Sequence, residues 1–398
     1  MHGEADWAIG PLAVSLKGAA LGRPIIANHM RSPVLHVAPF LWSGAGGVIT
    51  RLCEHQRKAG PVTLVTTGVS DGQRDWPAYR RRLARAGVAH RRLDLFHRAP
   101  DTLWPAVAGL AALVDEVRPA VIHAHAGVPT LASALARAAA GSRARLLGQM
   151  YSWGPERPAW MDAQDGLGFA QADRVICSAR HYGEALRRLG VQARRLVYLP
   201  WGLPLDELPM RPRGPANAAG APVLGFVGRI EPRKGQAALV EALVHLHRRW
   251  PEARLELVGP PGDDDYARAV TARTAALGLA RHVHLHGHVR DPRVIVRGWD
   301  VAVSASSDEG QGLAVLEAMA LGVPVAARSV AGISDFFVDG RTGVTIAGAS
   351  PRAIALAVAR VLGDRAAAQR RAQQARRLVE RRYDWQRMLR AFDRLYWH

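Results

Sequence analysis

Two carboxylates with seven residues between them, Glu309 and Glu317, flank a glycine-rich turn at residues 310–312. The apolar run 301–303 predicts a strand before the turn, and a helical pattern begins near Leu313. Glycines let the backbone approach a ligand closely, and the free N–H groups of a helix start favour a phosphate. The two carboxylates could therefore bind hydroxyl groups on either side of a diphosphate, as a nucleotide sugar presents them. A surface glutamate, a loop and a helical glutamate would give the same letters, so this stretch alone leaves both interpretations open.

Together with the residues that follow it, this stretch resembles the signature of retaining glycosyltransferase family four, which has the GT-B fold. That signature has a Glu, seven residues and a second Glu, with Gly-x-Gly-Leu directly after the first. The segments 318–325, 331–335 and 339–343 extend the resemblance over roughly forty residues, far more than a lone glycine motif. The resemblance implies that Glu309 contacts donor-sugar hydroxyls and that Glu317 holds the ribose. It also places Gly310, Gln311, Gly312 and Leu313 in the donor site, although Gln311 stands where the family usually has an aromatic residue.

Two cations, Arg229 and Lys234, follow the predicted strand 223–227. Cations at a strand end, just before a helix, could clamp a diphosphate and neutralise the charge that builds on a leaving group. The resemblance assigns the family's Arg and Lys to these two positions. Solvated charge on a loop is the alternative.

The predicted first strand, 34–40, leads into the glycine-rich segment 44–47, and a helical pattern follows from Val48. A nicotinamide-cofactor site would need a glycine at position 49, where Ile49 stands, and an acidic residue at the end of the second strand. The resemblance instead implies that Gly46 and Gly47 let the first domain reach the donor phosphate or the acceptor. A plain tight turn would have the same sequence.

His123 and His125 lie at the end of a predicted strand and share one face of it. Ligands bind at the carboxyl edge of such sheets, so His125 is a candidate for substrate contact, with a structural histidine as the alternative. Tyr151 stands where family members commonly place a histidine near the reacting carbon and the acceptor, and its hydroxyl can still hydrogen bond. Trp201 replaces the asparagine that usually follows the hinge proline.

Metal binding has two weak candidates in the sequence. His282, His284, His286 and His288 alternate along one predicted strand and could bind a metal. The same segment resembles a family strand whose end, through Val289, carries the donor base. Asp263, Asp264 and Asp265 form an acidic run that a solvated turn explains. The resemblance implies no metal and no cofactor beyond the nucleotide-sugar substrate.

Short apolar runs alternate with helical patterns along the chain, which predicts parallel sheets with crossover helices. Segment 204–222 contains five prolines and two glycines and predicts a linker. We expect an α/β protein of the GT-B fold, with two doubly wound Rossmann-like domains facing across a cleft. Residues 1–204 would form the acceptor-side domain, 205–222 the linker and 223–380 the nucleotide-sugar domain. The resemblance implies that the helix at 381–398 packs back on the first domain.

Composition and charge limit the other classes of protein to which the chain could belong. Cys53 and Cys177 are the only cysteines, segment 1–21 has no signal-peptide pattern and no run of about twenty apolar residues occurs, so we expect a cytoplasmic protein. The net charge of +19 comes almost entirely from arginine, which a genomic bias would explain as well as an anionic partner would. Basic clusters such as Arg80, Arg81 and Arg82, and Arg91 and Arg92, could contact an anionic membrane from the first domain.

The pattern favours a retaining glycosyltransferase whose donor is a nucleotide-diphosphate sugar. The acceptor could be a sugar, a lipid-linked molecule or a small molecule. No residue stands out as a covalent nucleophile, so a front-face reaction, with the leaving phosphate taking the acceptor proton, suits the site. A sugar-nucleotide epimerase or a phosphorylase of the same fold is the nearest alternative. A nucleic-acid-binding protein is less favoured, because the arginines are dispersed and no recognition module is evident.

Overall fold

The computed structural model describes residues 32–39, 41, 43–68, 75–94, 100–153, 157–210 and 221–398. Phe40, which ends the predicted first strand, lies outside the described residues, as do positions 211–220 of the predicted linker. The segment 1–21 also lies outside them. None of the described helices combines the length and the apolar character needed to cross a bilayer.

A seven-stranded, all-parallel sheet forms the first half of the chain, with strand order β3-β2-β1-β4-β5-β6-β7. Its strands are mostly buried because helices cover both faces, as expected for apolar runs without alternation. The strands are β1 (Val34–Val37), β2 (Val62–Thr66), β3 (Ala89–Arg92), β4 (Val121–His125), β5 (Arg145–Met150), β6 (Arg174–Cys177) and β7 (Leu196–Tyr198). The helices are α1 (Ser43–Arg57), α2 (Trp76–Arg85), α3 (Pro100–Val117), α4 (Gly127–Ala139), α5 (Ala159–Ala170) and α6 (Arg180–Arg188).

A second parallel sheet of six strands, ordered β10-β9-β8-β11-β12-β13, forms the other half. The strands are β8 (Val223–Val227), β9 (Arg254–Val258), β10 (Val283–Gly287), β11 (Val301–Ser304), β12 (Val325–Ala327) and β13 (Val344–Thr345). The helices are α7 (Gln236–Leu246), α8 (Asp264–Ala276), α9 (Arg293–Val296), α10 (Leu313–Ala320), α11 (Pro351–Gly363), α12 (Arg365–Arg382) and α13 (Trp385–Trp397). The prediction of two doubly wound parallel domains is confirmed.

Each sheet reverses its strand order at one place, and ligands bind at such switch points, outside the carboxyl ends of the strands. In the first sheet the order reverses between β1 and β4, and in the second between β8 and β11. The segment with Gly46 and Gly47 follows β1, and His125 ends β4. Arg229 follows β8, and Glu309 follows β11. The four predicted site segments therefore lie at the two switch points.

Two chain segments join the halves and run side by side: the forward crossing, around Leu203, and the return crossing, around Asp384. Leu203 on the forward crossing pairs with Asp384 on the return crossing, through bonds of 2.7 Å from Leu203 N to Tyr383 O and 3.0 Å from Trp385 N to Leu203 O. α13 then packs on the first sheet, where Met388, Phe392 and other residues of the helix join the core beside β1 and α1. The C-terminal helix is thereby part of the first half's core.

Candidate functional site

The segment between β11 and α10, residues 305–312, is called the donor loop below. Glu309 Oε1 accepts two hydrogen bonds, at 2.6 Å from Lys234 Nζ and at 2.8 Å from Ser306 Oγ. Lys234 comes from the turn after β8, so the pair joins the two strands at the switch point. The side chains of Lys234 and Glu309 are 10% and 15% exposed. Both bonds end on Oε1, so Oε2 is the oxygen best able to bind a sugar hydroxyl.

Gly312 shapes the start of α10. Its φ of 71° is left-handed, and a Cβ there would stand 2.8 Å from Ile333 Cγ1, so a side chain would be strained and crowded. Gly332 lies directly behind the loop, since a Cβ on it would stand 2.4 Å from Glu309 O. The glycines therefore fix the loop's path beside the first N–H groups of a helix, which bind anions.

Arg229 and Lys234 differ in how freely they can move. Arg229 is 41% exposed and forms a 3.2 Å ion pair with Glu231, which also pairs with Arg233 at 2.7 Å. Gln236 Nε2 holds the Arg229 carbonyl at 2.7 Å, so the backbone of this turn is fixed while the guanidinium stays at the surface. Arg229 can therefore swing toward a phosphate, whereas Lys234 is already held against Glu309.

Glu317 lies on α10, and burial raises the pKa of its carboxyl to about 7, with Arg293 opposing the shift. No hydrogen bond or ion pair to the Glu317 carboxyl occurs among the described residues. A desolvated carboxylate without a partner is a strong acceptor for hydroxyl groups. Val289, the predicted neighbour of the donor base, is half-buried and packs against the core on the α10 side of the second sheet.

The glycines after β1 are helical, which corrects the expected turn: α1 begins at Ser43, five residues before Val48. A Cβ on Gly46 would stand 2.8 Å from Tyr79 Cε2 and 2.9 Å from the Leu41 carbonyl carbon, so only glycine fits. Gly47 is roomier, with the Tyr79 hydroxyl at 3.6 Å from a Cβ there. A Cβ on Gly44 would stand 2.8 Å from Leu313 Cδ1, so the starts of α1 and α10 touch across the cleft.

A buried chain of hydrogen bonds begins at Tyr151 and runs into the first domain. The Tyr151 hydroxyl bonds His125 Nδ1, His125 Nε2 lies 3.0 Å from His36 Nδ1, and His36 Nε2 lies 2.6 Å from Gln56 Oε1. Because the amide oxygen only accepts, His36 carries its proton on Nε2, His125 on Nε2, and the Tyr151 hydroxyl donates. Burial lowers the pKa of His36 to about 4 and that of His125 well below its usual value, so both rings are neutral.

His123 completes this cluster. Its Nδ1 lies 2.5 Å from the Tyr396 hydroxyl on α13, and its buried Nε2 has no hydrogen-bond partner in the described part of the chain. His36, His123 and His125 together could supply three metal ligands. Zinc would hold ligand nitrogens at about 2.0–2.1 Å, and thus about 3.4 Å from each other in a tetrahedron. The 3.0 Å spacing of His36 and His125 suits a direct hydrogen bond better.

The predicted histidine row on β10 divides into separate contacts. His282 stacks edge-on with His247, at 4.5 Å between ring centroids. His286 lies beside His284 and 3.6 Å from Glu256, and His288 lies 4.0 Å from Asp75 of the first domain. Asp263, from the acidic run, caps α8 by accepting from Tyr266 N.

Sequence reasoning missed several residues at the cleft. His36 and Gln56 continue the hydrogen-bond chain behind His125, and Tyr396 bonds His123. No sequence pattern linked them, because their contacts depend on the pairing of β1 with β4 and on the return of α13. Tyr182 on α6 also approaches the donor loop, with its hydroxyl 3.7 Å from a Cβ on Gly310. Asp335 Oδ2 accepts the Arg180 amide at 2.9 Å, which joins the two halves across the same cleft.

The fold and the site together define a GT-B glycosyltransferase. It has two parallel-sheet domains, a helix start at α10 that suits a phosphate, and the Lys234–Glu309 pair at the second switch point. Residues 43–202 match the model described as "Glycosyl transferase 4-like domain", and residues 212–378 match "Glycosyl transferases group 1". The chain therefore belongs to the glycosyltransferases of family-four type.

Relatives of known sequence agree with this family. A glycogen synthase of Mycobacterium tuberculosis is 31% identical over 222 residues, covering 56% of this chain and 53% of that protein. A D-inositol 3-phosphate glycosyltransferase of Catenulispora acidiphila is 35% identical, covering 52% of each. A phosphatidylinositol monomannoside mannosyltransferase of Mycolicibacterium smegmatis is 32% identical, covering 42% of this chain and 47% of that protein. The matches span about half the length of these relatives.

Solved structures share the fold over most of the chain. The Anabaena protein HepE in complex with UDP and glucose superposes with a TM-score of 0.78 at 19% identity, covering 92% of this chain and 99% of that one. A sucrose-phosphate synthase from Thermosynechococcus elongatus gives 0.76 at 21% identity, covering 92% and 98%.

Proposed function

We propose that this protein is a retaining glycosyltransferase that takes its sugar from a nucleotide-diphosphate donor. The contact that carries the proposal is the Lys234–Glu309 pair, which two strand ends bring together at 2.6 Å beside the start of α10. HepE, which has the same fold, was solved with UDP and with UDP-glucose, and this supports a nucleotide sugar as donor.

The geometry supports a role for each site residue. Glu317 would accept the ribose hydroxyls, and Glu309 Oε2 the hydroxyls of the sugar. Lys234, Arg229 and the first N–H groups of α10 would stabilise the negative charge that grows on the departing diphosphate. Lys234 is already fixed in place, so its charge needs little reorganisation during the reaction.

The proton of the acceptor hydroxyl would pass to the leaving phosphate. His125 is buried in a hydrogen-bond chain, and burial raises the pKa of Tyr151 well above its usual value, so Tyr151 stays protonated. Both residues would therefore orient the acceptor side of the cleft rather than remove a proton. No metal is needed for this scheme, and the site's own cations would carry the electrostatic work.

A thermal-shift panel of nucleotides and nucleotide sugars tests the donor, because a ligand stabilises the fold in proportion to the logarithm of its concentration over its Kd. One nucleoside diphosphate and its sugar should raise Tm, and Glu317→Ala should abolish the shift. Glu252→Ala, at an exposed glutamate on the far side of the second domain, is the matched control. Incubation with donor alone should leave the sugar's configuration unchanged, whereas an epimerase would convert it. A panel in which no nucleotide or nucleotide sugar raises the Tm of the unsubstituted protein contradicts the proposal.

We also propose that the first domain docks on an anionic membrane to reach a lipid-linked acceptor. Arg80, Arg81 and Arg85 are exposed on α2. Arg57, Lys58 and Arg85 line a groove of about 390 Å³ between α1 and α2, where Arg82 is paired with Glu54. The relative from Mycolicibacterium smegmatis is named for a phosphatidylinositol-based acceptor, which supports this choice. Arg91 and Arg92 on β3 are also exposed on the same domain.

Vesicle sedimentation at two salt concentrations tests the docking surface. Binding to anionic vesicles should fall steeply as salt rises, because exposed charges are screened over about 8–10 Å at physiological ionic strength. Charge reversal at Arg80, Arg81 and Arg85 should remove binding, whereas reversal at Arg248 and Arg249 of the second domain should not. Equal partitioning to neutral and anionic vesicles would rule the surface out, as would binding to neither.

A further inference from the structure

An amide-to-peptide pair joins the donor loop to the crossing between the domains. Gln311 Oε1 accepts the Trp201 backbone N–H at 2.7 Å, and Gln311 Nε2 donates to the Trp201 carbonyl at 2.9 Å. Gln311 is 4% exposed and Trp201 6%. The Gln311 side-chain amide and the Trp201 backbone thus satisfy each other's hydrogen bonds. Removing the side-chain amide would leave the buried Trp201 N–H and C=O without partners.

Trp201 stands where both crossings meet. Gly202 N lies 3.2 Å from Met388 Sδ of α13, and a Cβ on Gly202 would stand 2.7 Å from the Trp385 backbone. Leu203, the next residue, pairs with the return crossing at Asp384. The forward and return crossings therefore form one hydrogen-bonded unit, and Gln311 attaches the donor loop to it.

The same point touches the acceptor side. The Trp201 ring lies against the Tyr151 ring, with 4.9 Å between centroids. The Tyr151 carbonyl oxygen lies 3.0 Å from where a Cβ on Gly310 would stand, so the loop presses on the first domain without room for a side chain. Tyr151 is itself held by His125. Gly310, the neighbour of Gln311 on the donor loop, therefore contacts Tyr151 on the acceptor side directly.

We propose that Gln311 is a positioning residue, a latch to Trp201 that holds the donor loop at the pivot between the domains. When two domains rotate, the points nearest the pivot move least. A loop fastened there keeps Glu309 at a constant distance from Tyr151, so a donor sugar on Glu309 meets the acceptor in one orientation. Misorientation lowers rate more than affinity. The role in turnover rests on the proposed glycosyl transfer.

The departure from the family pattern at Gln311, which stands where an aromatic residue is usual, is thereby explained. An aromatic side chain has no polar pair for the Trp201 backbone. The latch consequently belongs to this chain's own residues.

Two variants and two controls test the latch. Gln311→Met keeps the side chain's length but removes both bonds, and Gln311→Glu keeps an accepting oxygen but cannot donate to the Trp201 carbonyl. Gln192→Met makes the same change at an exposed glutamine, and Trp201→Phe changes the ring while keeping both backbone bonds. Hydrogen–deuterium exchange of the peptide 199–203 reports the latch, calorimetry gives donor Kd, and the rate of transfer gives kcat and KM.

Gln311→Met should speed exchange at 199–203 and lower kcat, each by about tenfold or more, with donor Kd changed less than about twofold. Gln192→Met should change neither quantity, and Trp201→Phe should leave exchange at 199–203 slow. If Gln311→Met does not fold, Gln311→Glu carries the same comparison.

Unchanged exchange at 199–203 would show that no latch exists. Faster exchange with unchanged kcat would show that the latch does not position the loop. A loss confined to donor Kd would make Gln311 a donor contact instead. Failure of the unsubstituted protein to bind any nucleotide sugar would contradict the proposed function, while the exchange result would still decide whether the pair holds the crossing.

Discussion

Nucleotide binding should strengthen with pH because Glu317 must lose a proton to become a strong acceptor for ribose hydroxyls. Burial raises the pKa of Glu317 to about 7, so about a tenth of the carboxyl is ionised at pH 6 and about nine tenths at pH 8. If only the carboxylate binds the ribose well, affinity for the cognate nucleoside diphosphate should rise about tenfold over that interval.

Glu317→Gln keeps an accepting oxygen but removes the titration. The diphosphate also titrates in this range, so the decisive quantity is the ratio of affinities of the unsubstituted protein and the variant, in which that contribution cancels. Calorimetric titration at pH 6, 7 and 8 should give a ratio that rises about tenfold, and Glu252→Gln should follow the unsubstituted protein. A ratio that is flat with pH would refute the placement of the ribose at Glu317.

The same shift bears on stability. A carboxyl whose pKa is raised by folding favours the folded state below its unfolded pKa, about 4.5, and this contribution is lost as pH rises through about 7. The nucleotide-free protein should therefore lose stability over this interval, and Glu317→Gln should lose less. Equal pH dependence of Tm for both proteins would show that the carboxyl is not desolvated.

Three further predictions concern other parts of the site. Lys234→Met should lower kcat by about a hundredfold or more while changing donor Kd far less, because the charge of Lys234 matters most as the diphosphate departs. The control Arg248→Met should leave kcat unchanged. A loss of donor affinity as large as the loss of kcat in Lys234→Met would contradict the assignment. Tyr396→Phe should lower the free energy of unfolding by about 1–3 kcal/mol in denaturant titration, because His123 Nδ1 loses its buried partner; an unchanged midpoint would show that the bond to α13 contributes nothing. Gly312→Ala should weaken nucleotide binding through strain at a φ of 71°, whereas Gly340→Ala, at φ 69° in an open turn, should strain the chain without touching the site.

Most strands of the two sheets were predictable because buried parallel strands are short, continuous apolar runs, whereas β3 and β10 are largely exposed and polar. β8 has the bounds 223–227 that the sequence indicates, and the apolar run 301–303 lies within β11. The start of α1 was not predictable, because the glycines at 44, 46 and 47 favour a turn locally, and the close packing of Gly46 on Tyr79 and Leu41 is visible only in the fold. Tertiary contact overrode local propensity there.

The donor side of the site was visible in the sequence because its residues lie within two short segments, after β8 and after β11. On the acceptor side the sequence indicated Gly46, His125 and Tyr151 but not the residues behind them, because those residues are scattered along the chain. His36, Gln56, His125 and Tyr396 come from four elements, and only the strand order and the return of α13 bring them together. The pairing of Gln311 with Trp201 spans 110 positions and involves backbone atoms, which no residue type announces.

Proton NMR of the product most directly tests the central claim that this chain transfers a sugar with retention. The donor that raises Tm is incubated with anionic vesicles that carry lipid-linked acceptors and, separately, with soluble sugars. The anomeric coupling constant of the new glycoside is then measured. A product whose anomeric configuration equals that of the donor, formed about a hundredfold more slowly with Lys234→Met, is the predicted result. A product of inverted configuration, or release of the sugar to water alone with every acceptor, would contradict it.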